Sequence, residues 1–294
     1  MASMIIANEN ANWGAGQRKV RQATDFLRKQ GFSFSLSTTQ YRGHARELAA
    51  AAAAQKTDTV IVIGGDGTVN EVINGLLTSG QSNVPRVGII PSGSSNDLSK
   101  SLEIPQPLED ACRAVMRGKV ENVDVGRAGP HYFCSASCLG YFAEIAARSL
   151  GMKRFGGSLR YVISGLDAIR TMAAGWEMSV RTDGKVFHGV YAVLLVGNAP
   201  RFGGLTMLPG ARLDDGALDC LLIEMVSKWE ALQLIPLAYK KAMERHRRVT
   251  RFQATSLSVT LRRPTQLCND GEMVPGSFES IDYTILPGAL QILC

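Results

Sequence analysis

The chain has 294 residues, of which 45% are hydrophobic and 20% charged, a composition typical of folded globular proteins that excludes a disordered chain. Its length favours two domains, because a single hydrophobic core rarely grows to this size. The formal net charge of +6 is too mild to name a binding partner by itself.

The cysteines and histidines are scattered along the sequence and show no zinc-binding spacing. Most cysteines lie within apolar runs, which indicates buried thiols and a reduced, cytoplasmic compartment. The N-terminus does not resemble a signal peptide, and the longest apolar runs, Val190–Val196 and Leu218–Ile223, are as short as strands. We therefore expect a cytoplasmic protein that contacts membranes only transiently and from outside.

Predicted strands and helices alternate over residues 1–127. The predicted strands are Met4–Ala7, Phe32–Ser37, Thr59–Ile63, Arg86–Ile90 and Val120–Val125. The predicted helices are Gln17–Gln30, Ala45–Gln55, a segment with Val69, Val72, Ile73 and Leu76 on one face, and Leu108–Arg117. This alternation predicts a doubly wound α/β domain, with a parallel sheet covered by helices on both faces.

The pattern changes over residues 128–294, where strands joined by turns predict an antiparallel β-sandwich. The predicted strands are Glu177–Arg181, Val186–Val196, Leu218–Met225, Ser256–Arg262 and Ile281–Leu286, with a hairpin turn at Asp183-Gly184. The predicted helices are Leu159–Met172 and Lys228–Met243, the second preceded by a capping box of Ser227 and Glu230. We expect the active site to lie between the two halves, where clefts form.

A group of basic residues lies near the end of the chain: Lys240, Lys241, Arg245, Arg247, Arg248, Arg251, Arg262 and Arg263. Such a group attracts phosphate, nucleic acid or an anionic bilayer, and a solvated helix end is the alternative interpretation. Nucleic-acid binding is disfavoured, because no aromatic–basic stacking pattern or known reader motif accompanies the group.

A glycine-rich turn, Gly64–Thr68, follows the buried strand Thr59–Ile63 and precedes a helix. Glycines allow backbone N–H groups to approach phosphates, and the helix N-terminus adds positive potential. Thr68 is the expected N-cap of that helix. The turn alone leaves nucleotide binding open, and the sequence contains neither the Walker motif nor the motifs of protein kinases.

A second polar turn, Ser92–Asp97, follows the next predicted strand. Neighbouring strands of a doubly wound sheet deliver such loops to one crevice, although a simple helix cap is the alternative. Asp66, Asp97 and Asp124 are predicted at three strand ends, where the carboxylates would repel each other without a cation. Mg²⁺ is the natural cation, because it prefers oxygen ligands and nucleotide phosphates.

These two turns, Gly64–Glu71 and Pro91–Asp97, resemble the catalytic domain of bacterial diacylglycerol kinases. That family includes sphingosine and ceramide kinases and is distantly similar to NAD kinases. Asn8–Gly16, Pro209–Asp219 together with Gly197-Asn198, and Asn269–Glu272 match further family signatures in order. The resemblance therefore covers nearly the whole chain and implies the two-domain fold predicted above.

Two departures from the family pattern affect the expected nucleotide contacts. Ser94 stands where the family usually has threonine, so a hydroxyl remains for phosphate. The first loop begins Asn8-Glu9-Asn10 instead of the common Asn-Pro, which leaves its contacts open.

The resemblance implies a role for each matching residue. The residues implied to bind ATP are Asn8, Gly64, Gly65, Asp66, Gly67, Thr68, Asn70, Ser92, Gly93, Ser94 and Asn96. Those implied for catalytic Mg²⁺ are Asp66, Asp97 and Asp124, and those implied for a second, structural Mg²⁺ are Arg212, Asp215 and Leu218. Asp270 would be the general base that deprotonates a lipid hydroxyl, with Glu272 in support. By themselves, Asp214–Asp219 and Asp270–Glu272 read as ordinary turns.

The function implied is an ATP- and Mg²⁺-dependent lipid kinase, with diacylglycerol as the expected acceptor and phosphatidic acid as the product. The alternatives are a NAD kinase, a kinase of a sphingoid, ceramide or polyprenol lipid, and a non-catalytic nucleotide-binding regulator. The expected partners are ATP, a lipid alcohol and the membrane surface, but not nucleic acid, and a homodimer is left open. Candidate residues for a lipid-tail slot are Phe133, Leu139, Phe142 and Phe202, which could equally be plain core.

Overall fold

A computed structural model describes residues 2–10, 15–81, 83–151 and 159–294. The chain forms two compact units. The first comprises Met1–Val123 and Gly288–Cys294, and the second comprises Asp124–Pro287. The sequence placed the boundary at residues 127 and 128 and did not anticipate that the last seven residues return to the first unit.

The first unit is an α/β domain. Its elements are β1 (Ser3–Ala7), α1 (Ala15–Lys29), β2 (Ser35–Thr38), α2 (His44–Ala54), β3 (Thr59–Gly64), α3 (Asp66–Thr78), β4 (Arg86–Pro91), α4 (Asp97–Ser101) and α5 (Leu108–Arg117). The four strands are parallel in the order β2-β1-β3-β4. Ile292 and Leu293, from the end of the chain, extend this sheet beside β4.

The strand order creates a switch point in the first unit. The chain moves from β1 outwards to β2 and then crosses back to β3 on the other side of β1. Right-handed crossovers are therefore expected to put α1 on one face of the sheet and α2 and α3 on the other. In agreement, α2 packs on α3 and α1 packs on α5. Loops at the carboxyl ends of β1 and β3 consequently meet at one place.

The predicted start of β2, at Phe32, was three residues too early. Gly31 has a φ of 75°, and the N–H of Phe32 donates to the Leu27 carbonyl at 3.0 Å while that of Gly31 donates to Arg28. These bonds form a Schellman cap at the end of α1. The cap holds Phe32, so that the strand begins only at Ser35.

The second unit is mainly antiparallel β-structure. Its elements are β5 (Val120–Ala128), β6 (His131–Phe133), β7 (Ala136–Gly140), α6 (Tyr141–Gly151), α7 (Leu159–Thr171), β8 (Trp176–Thr182), β9 (Lys185–Gly197), β10 (Arg201–Phe202), β11 (Leu205–Thr206), β12 (Leu218–Glu224), α8 (Lys228–Tyr239), β13 (Val249–Ala254), β14 (Ser256–Asn269) and β15 (Glu272–Leu293). The strand β5 starts in the first unit, and β15 ends there. A short 3-10 helix, Met243–Arg245, follows α8.

The main strands of this unit follow the order β13-β12-β9-β7-β14-β15, with antiparallel pairing throughout. The predicted hairpin at Asp183-Gly184 joins β8 to β9 and is confirmed. The sequence missed β7, because its five residues are all buried and mostly small, so that it shows neither alternation nor β-branched side chains.

The capping box of α8 is confirmed, since Ser227 Oγ accepts the Glu230 N–H and the Glu230 carboxylate accepts the Ser227 N–H. The Ser227 backbone and the Arg247 guanidinium lower the pKa of Glu230 to about 2. The helix ends at Tyr239, four residues before the predicted end. Lys241 has a φ of 56°, and the Ala242 N–H donates to the Leu237 carbonyl, which again forms a Schellman cap.

The core of the second unit lies around Tyr283, which is fully buried. Its ring packs edge-on against Phe133 with ring centroids 6.4 Å apart, and its hydroxyl accepts a hydrogen bond from Ser137 Oγ. Burial raises the pKa values of the Cys134 and Cys138 thiols well above their usual range. This confirms that these cysteines are small buried apolar residues. No helix in the described ranges has both the length and the apolarity that a bilayer crossing requires.

The contact between α2 and α3 depends on Gly75. A Cβ atom at this position would collide with the backbone carbonyl oxygen of Arg46. We expect Gly75→Ala to lower the free energy of unfolding by about 1–3 kcal/mol, because neighbouring backbone cannot move aside cheaply. Urea unfolding followed by circular dichroism measures the change.

Gly165→Ala is the matched control, because Gly165 also lies within a helix but the nearest atom to its added Cβ is 4.0 Å away. This variant should be stabilised by about 0.5–1 kcal/mol or be unchanged. Equal unfolding energies for Gly75→Ala and the unaltered protein would contradict the packing described here.

Candidate active site

The loop after β1 meets the glycine turn after β3, as the switch point requires. Asn8 Nδ2 donates to Thr68 Oγ1 at 3.0 Å, and the Asn8 N–H donates to the Ile63 carbonyl at 2.9 Å. Residues 11–14 of the first predicted phosphate loop lie outside the described residues. The described part of that loop is therefore fixed against the turn that the sequence singled out.

The glycine turn leads directly into α3, which starts three residues earlier than expected. The helix begins at Asp66, with Gly65 as the extended N-cap. The prediction that Thr68 is the N-cap was wrong, because Thr68 already lies in the first helical turn, where its hydroxyl accepts from Asn8. Since glycine has no side chain to cap the helix, backbone N–H groups of the first turn remain suitable for an anion.

The two polar turns touch through their glycines. Ser92 N donates to the Gly64 carbonyl at 2.9 Å. A Cβ atom at Gly93 would lie 2.5 Å from the Gly65 Cα and 2.8 Å from Asn96 Oδ1. Any side chain at Gly93 would therefore push the two turns apart.

Asp66 links the first turn to the second through its carboxylate. Asp66 Oδ1 accepts the N–H of Asp97 at 2.6 Å and that of Leu98 at 3.4 Å. The N-cap of α4 is Asn96, whose φ of 53° is left-handed. The cap interpretation of Ser92–Asp97 is thus correct for the backbone, but the capping carboxylate comes from the other turn.

Several polar atoms of the second turn have no protein partner. Among the described residues, the buried atoms Ser92 Oγ, Ser95 Oγ and Asn96 Oδ1 make no hydrogen bond. Ser94, which the resemblance implied, is exposed, whereas the neighbouring Ser95 is buried. The choice of Ser94 over Ser95 followed the family pattern, and only the structure distinguishes the two hydroxyls.

Two ammonium groups lie at the backbone of the same turn. Lys19 Nζ donates to the Ser92 carbonyl at 3.3 Å, and Lys100 Nζ donates to the Ser95 carbonyl at 2.6 Å. The sequence did not single out either lysine, because Lys19 lies on α1 and Lys100 lies on α4, beyond the last residue of the motif. Positive charge, unpaired hydroxyls and a helix N-terminus together suit a phosphate group.

Asp66 and Asp97 provide carboxylates at the same turns, and Asp97 is buried. The described residues contain no cluster of three acidic, histidine or cysteine side chains that could hold a metal ion. Mg²⁺ in nucleotide sites needs only one or two carboxylates, because phosphate oxygens and water complete its shell. The donor set at these turns fits that kind of site.

The sequence had indicated that Asp124 lies at a strand end, but the structure places it within β5. β5 continues beyond it to Ala128, and Asp124 belongs to the second unit. Its Oδ2 accepts the N–H of Gly216 at 2.7 Å, and its own N–H donates to the Leu213 carbonyl. Asp124 is thus joined to the predicted second metal loop, and its implied role toward the catalytic Mg²⁺ stays a prediction.

In that second metal loop, the two neighbouring aspartates differ in their contacts. Arg212 pairs with Asp214 at 3.0 Å and lowers the pKa of its carboxyl. Among the contacts resolved in the described chain, Asp215 Oδ1 accepts only the nearby N–H of Ala217, at 3.1 Å. Leu218 is the first residue of β12. The metal site implied for Arg212, Asp215 and Leu218 stays a prediction.

Asp270 and Gly271 form the two-residue turn between β14 and β15, with φ angles of 51° and 85°. The prediction of a turn is therefore correct for the backbone, and the geometry is that of a type I′ hairpin. The carboxylate of Asp270 has a more specific environment. It accepts the N–H groups of Cys134, Ser135 and Ala136 at 2.9, 2.7 and 3.0 Å. These donors fix the orientation of the carboxylate.

Asn269 precedes this turn and was not assigned a separate role by the sequence analysis. It is 3% exposed, and in the described chain neither of its side-chain polar atoms makes a hydrogen bond. It lies opposite Ser137 on β7 and opposite Glu272 on β15. A buried amide without partners is costly, which marks Asn269 as a candidate ligand-binding group.

The second unit contains an apolar cavity of about 180 Å³ between α6, α7, α8 and the sheet. Phe142 and Phe202, both predicted as tail-slot candidates, line it. Phe133 and Leu139 do not line it, because both are fully buried in the core. The described lining contains no charged side chain.

Tyr161 connects this cavity to the Asp270 turn. It lines the cavity, and its hydroxyl oxygen would lie 3.5 Å from a Cβ atom placed on Gly271. Phe202 and Gly203 line the same end of the cavity, with the Tyr161 ring near Gly203. A polar turn and an apolar cavity therefore adjoin within one unit.

The basic group near the chain end separates into two classes, apart from Arg263, which donates to the Gly175 carbonyl at 2.8 Å and lies over the Trp176 ring. The arginines that pair with carboxylates are Arg247 with Glu230, Arg248 with Glu224, Arg251 with Asp219 and Arg262 with Glu177. Asp219 is 1% exposed, so its pairing with Arg251 is structural. Lys240, Lys241 and Arg245 are exposed, and the described chain places no carboxylate in ion-pair range of them.

Two family models match the chain. Residues 2–128 match the model described as the diacylglycerol kinase catalytic domain. Residues 135–294 match the YegS C-terminal NAD kinase beta sandwich-like domain. The second match alone covers more than half of the chain, and it agrees with the antiparallel second unit.

Named relatives and solved structures agree with these models. A diacylglycerol kinase of Staphylococcus saprophyticus is 32% identical over 96% of this chain and 93% of the relative. One from Staphylococcus aureus is 28% identical over 96% of this chain and 90% of the relative. A crystal structure of a diacylglycerol kinase from Bacillus anthracis superposes with a TM-score of 0.77 at 22% identity, covering 99% of this chain and 96% of the other. The chain therefore belongs to the bacterial diacylglycerol kinase family, with an N-terminal α/β domain and a C-terminal β-sandwich domain, and is a lipid kinase.

Proposed function

We propose that this protein transfers the γ-phosphoryl group of ATP to the free hydroxyl of a diacylglycerol, giving phosphatidic acid and ADP. The observation that supports this acceptor is the junction of the Asp270 turn with the apolar cavity at Tyr161. An alcohol with a polar head and acyl tails matches such a site. The names of the relatives point to the same lipid.

The first unit would bind the nucleotide through the two glycine turns. The N–H groups at the start of α3 and the unpaired hydroxyls of Ser92 and Ser95 are suited to phosphate oxygens. Asp66 and Asp97 would hold Mg²⁺, which neutralises phosphate charge when bound. Asp66 also keeps the second turn in place, because its carboxylate accepts the first N–H groups of α4.

The second unit would supply the general base. Asp270 accepts the hydroxyl proton as the lipid oxygen bonds to the transferred phosphorus and the bond to ADP breaks. The three N–H donors from Cys134, Ser135 and Ala136 keep the carboxylate oriented. Glu272 follows on the same hairpin and supports this carboxylate.

The cavity would accept part of the lipid tail. Its described lining is apolar or aromatic, so acyl chains would lose water-exposed surface on entry. A NAD acceptor, with its many hydroxyl and phosphate groups, would find no charged partner in the described lining. Sphingoid, ceramide and polyprenol alcohols share the amphiphilic character of diacylglycerol and stay second candidates.

A phosphorylation assay tests the proposal directly. Labelled ATP, Mg²⁺ and mixed micelles carrying diacylglycerol, ceramide, sphingosine or polyprenol in turn should give labelled phosphatidic acid above all other products. NAD in place of lipid should consume no ATP. Preferential labelling of NAD, or of none of these acceptors, would overturn the assignment.

Asp270→Asn should lower kcat by about a hundredfold or more, because the amide cannot accept a proton. The amide oxygen still accepts backbone N–H groups, whereas its NH₂ opposes the N–H of Cys134, so stability should fall by about 1–3 kcal/mol. The micelle assay measures kcat, and ATP affinity should be unaltered. Asp270→Ala is less informative, since it leaves three N–H groups without their acceptor.

Asp282→Asn is the control for this variant. Asp282 lies on the same strand, β15, but is exposed and bonded to Ser258. Its replacement should leave kcat unaltered. A fully active, folded Asp270→Asn enzyme would remove Asp270 as the base.

Ala168→Phe should discriminate between lipid tails of different length. Ala168 is buried and lines the cavity, so a phenyl ring there would occupy space meant for an acyl chain. We expect kcat/KM to fall about tenfold or more for a long-chain diacylglycerol, by loss of buried methylenes. A short-chain diacylglycerol should be affected much less, and an equal loss for both would argue against the cavity as the tail site.

A further inference from the structure

Helix α8 is mostly apolar beyond the first turn, with the exposed Gln233 as the exception. Its only charged residues are Lys228 and Glu230, and Ala231–Tyr239 contains none. One face, with Ala231, Leu234 and Ala238, is buried over the cavity. A helix normally buries its large apolar side chains, so those on the opposite face of α8 need an explanation.

That opposite face carries large side chains in the open. Trp229, Leu232, Pro236 and Tyr239 follow the i, i+3, i+7, i+10 spacing of a single helix face. Trp229 is 71% exposed and Tyr239 52% exposed, and Leu232 is exposed as well. We call these four residues the α8 outer face. Leu166 on α7, which packs against α8, adds a further exposed apolar side chain.

Basic residues follow the α8 outer face directly in the chain. Lys240 and Lys241 come immediately after Tyr239, and Arg245 lies in the 3-10 helix that follows. All three are exposed, and no carboxylate of the described chain is in ion-pair range of them. The neighbouring arginines, Arg247 and Arg248, are already paired with Glu230 and Glu224.

The α8 outer face is continuous with the cavity. Tyr239 belongs to that face and also lines the cavity, so one residue stands on both surfaces. Gly165, next to the exposed Leu166, lines the cavity from α7. An occupant of the outer face would therefore contact a residue that also lines the cavity.

We propose that the α8 outer face, with Lys240, Lys241 and Arg245, docks this protein on the surface of an anionic phospholipid bilayer. Trp and Tyr prefer the boundary between head groups and acyl chains, where Leu and Pro side chains can also leave water. The ammonium and guanidinium groups meet the anionic head groups at that depth. The docked helix places the Tyr239 side of the cavity next to the bilayer, an advantage that rests on the function proposed above.

Vesicle binding tests the docking face without any catalytic turnover. The full chain is sedimented with vesicles of phosphatidylcholine containing phosphatidylglycerol, and with vesicles of phosphatidylcholine alone, in the absence of ATP. Trp229→Ala/Leu232→Ala should lower the partition coefficient on the anionic vesicles about tenfold or more, because two membrane-facing side chains are lost. Lys240→Ala/Lys241→Ala should lower it about tenfold on anionic vesicles only, and added salt should reduce that difference.

Val186→Ala/Val190→Ala is the matched control, since these exposed valines lie on β9, at 60% and 50% exposure. Its partition should equal that of the unaltered protein. Unchanged binding of Trp229→Ala/Leu232→Ala, or an equal loss in the valine control, would overturn the proposal. So would a dimer that the Trp229→Ala/Leu232→Ala change abolishes in sedimentation velocity, because the face would then belong to a second copy.

The result is independent of the proposed reaction. A protein that docks through the α8 outer face but phosphorylates no lipid in micelles would keep this inference and lose the function above. A protein that phosphorylates micellar diacylglycerol but fails to bind vesicles would keep the proposed function and lose this inference.

Discussion

The close approach of two backbone turns, at Gly65 and Gly93, sets the geometry of the first unit's candidate site. No side chain fits between them, because a Cβ atom at Gly93 would lie 2.5 Å from the Gly65 Cα. Asp66 then reaches across and accepts the first N–H groups of α4. The start of α3 and the buried hydroxyls of Ser92 and Ser95 belong to these joined turns. The phosphate-binding surface proposed for these turns would follow from backbone shape first and from side-chain chemistry second.

The second unit brings a polar turn and an apolar cavity together. The Asp270 turn is tied to the N–H groups of residues 134–136, and Tyr161 connects it to a cavity without charged lining in the described chain. The cavity ends at α8, whose outer face carries Trp229 and Tyr239 in the open. A lipid alcohol would therefore meet polar groups at one end and apolar groups along its length. This gradient is the physical basis for proposing a lipid acceptor.

Much of the first unit was predictable, because buried β-branched strands, helix stops at glycine and the glycine turn are local signals. The sequence also identified Asp66, Asp97 and Asp270, but not their partners, since those contacts join residues far apart in the chain. Thr68 was taken as an N-cap because threonine is a common one, whereas Gly65 occupies that position. Lys19 and Lys100 lie outside the motifs, and Ser95 and Asn269 lie within motifs but were given no role, so only burial and hydrogen bonding single them out. The sequence did not reveal the α8 outer face, because an apolar run does not show which of its side chains are exposed.

The central claim is that the two joined turns bind the phosphates of ATP. Calorimetric titration of ATP into Ser92→Ala/Ser95→Ala tests it most directly, because both hydroxyls are buried and neither bonds to the described chain. The fold should therefore keep its unfolding midpoint. Hydrogen bonds to charged groups contribute about 1.5–3 kcal/mol each, so the account predicts at least a tenfold loss of ATP affinity. ATP binding as tight as that of the unaltered protein would contradict it.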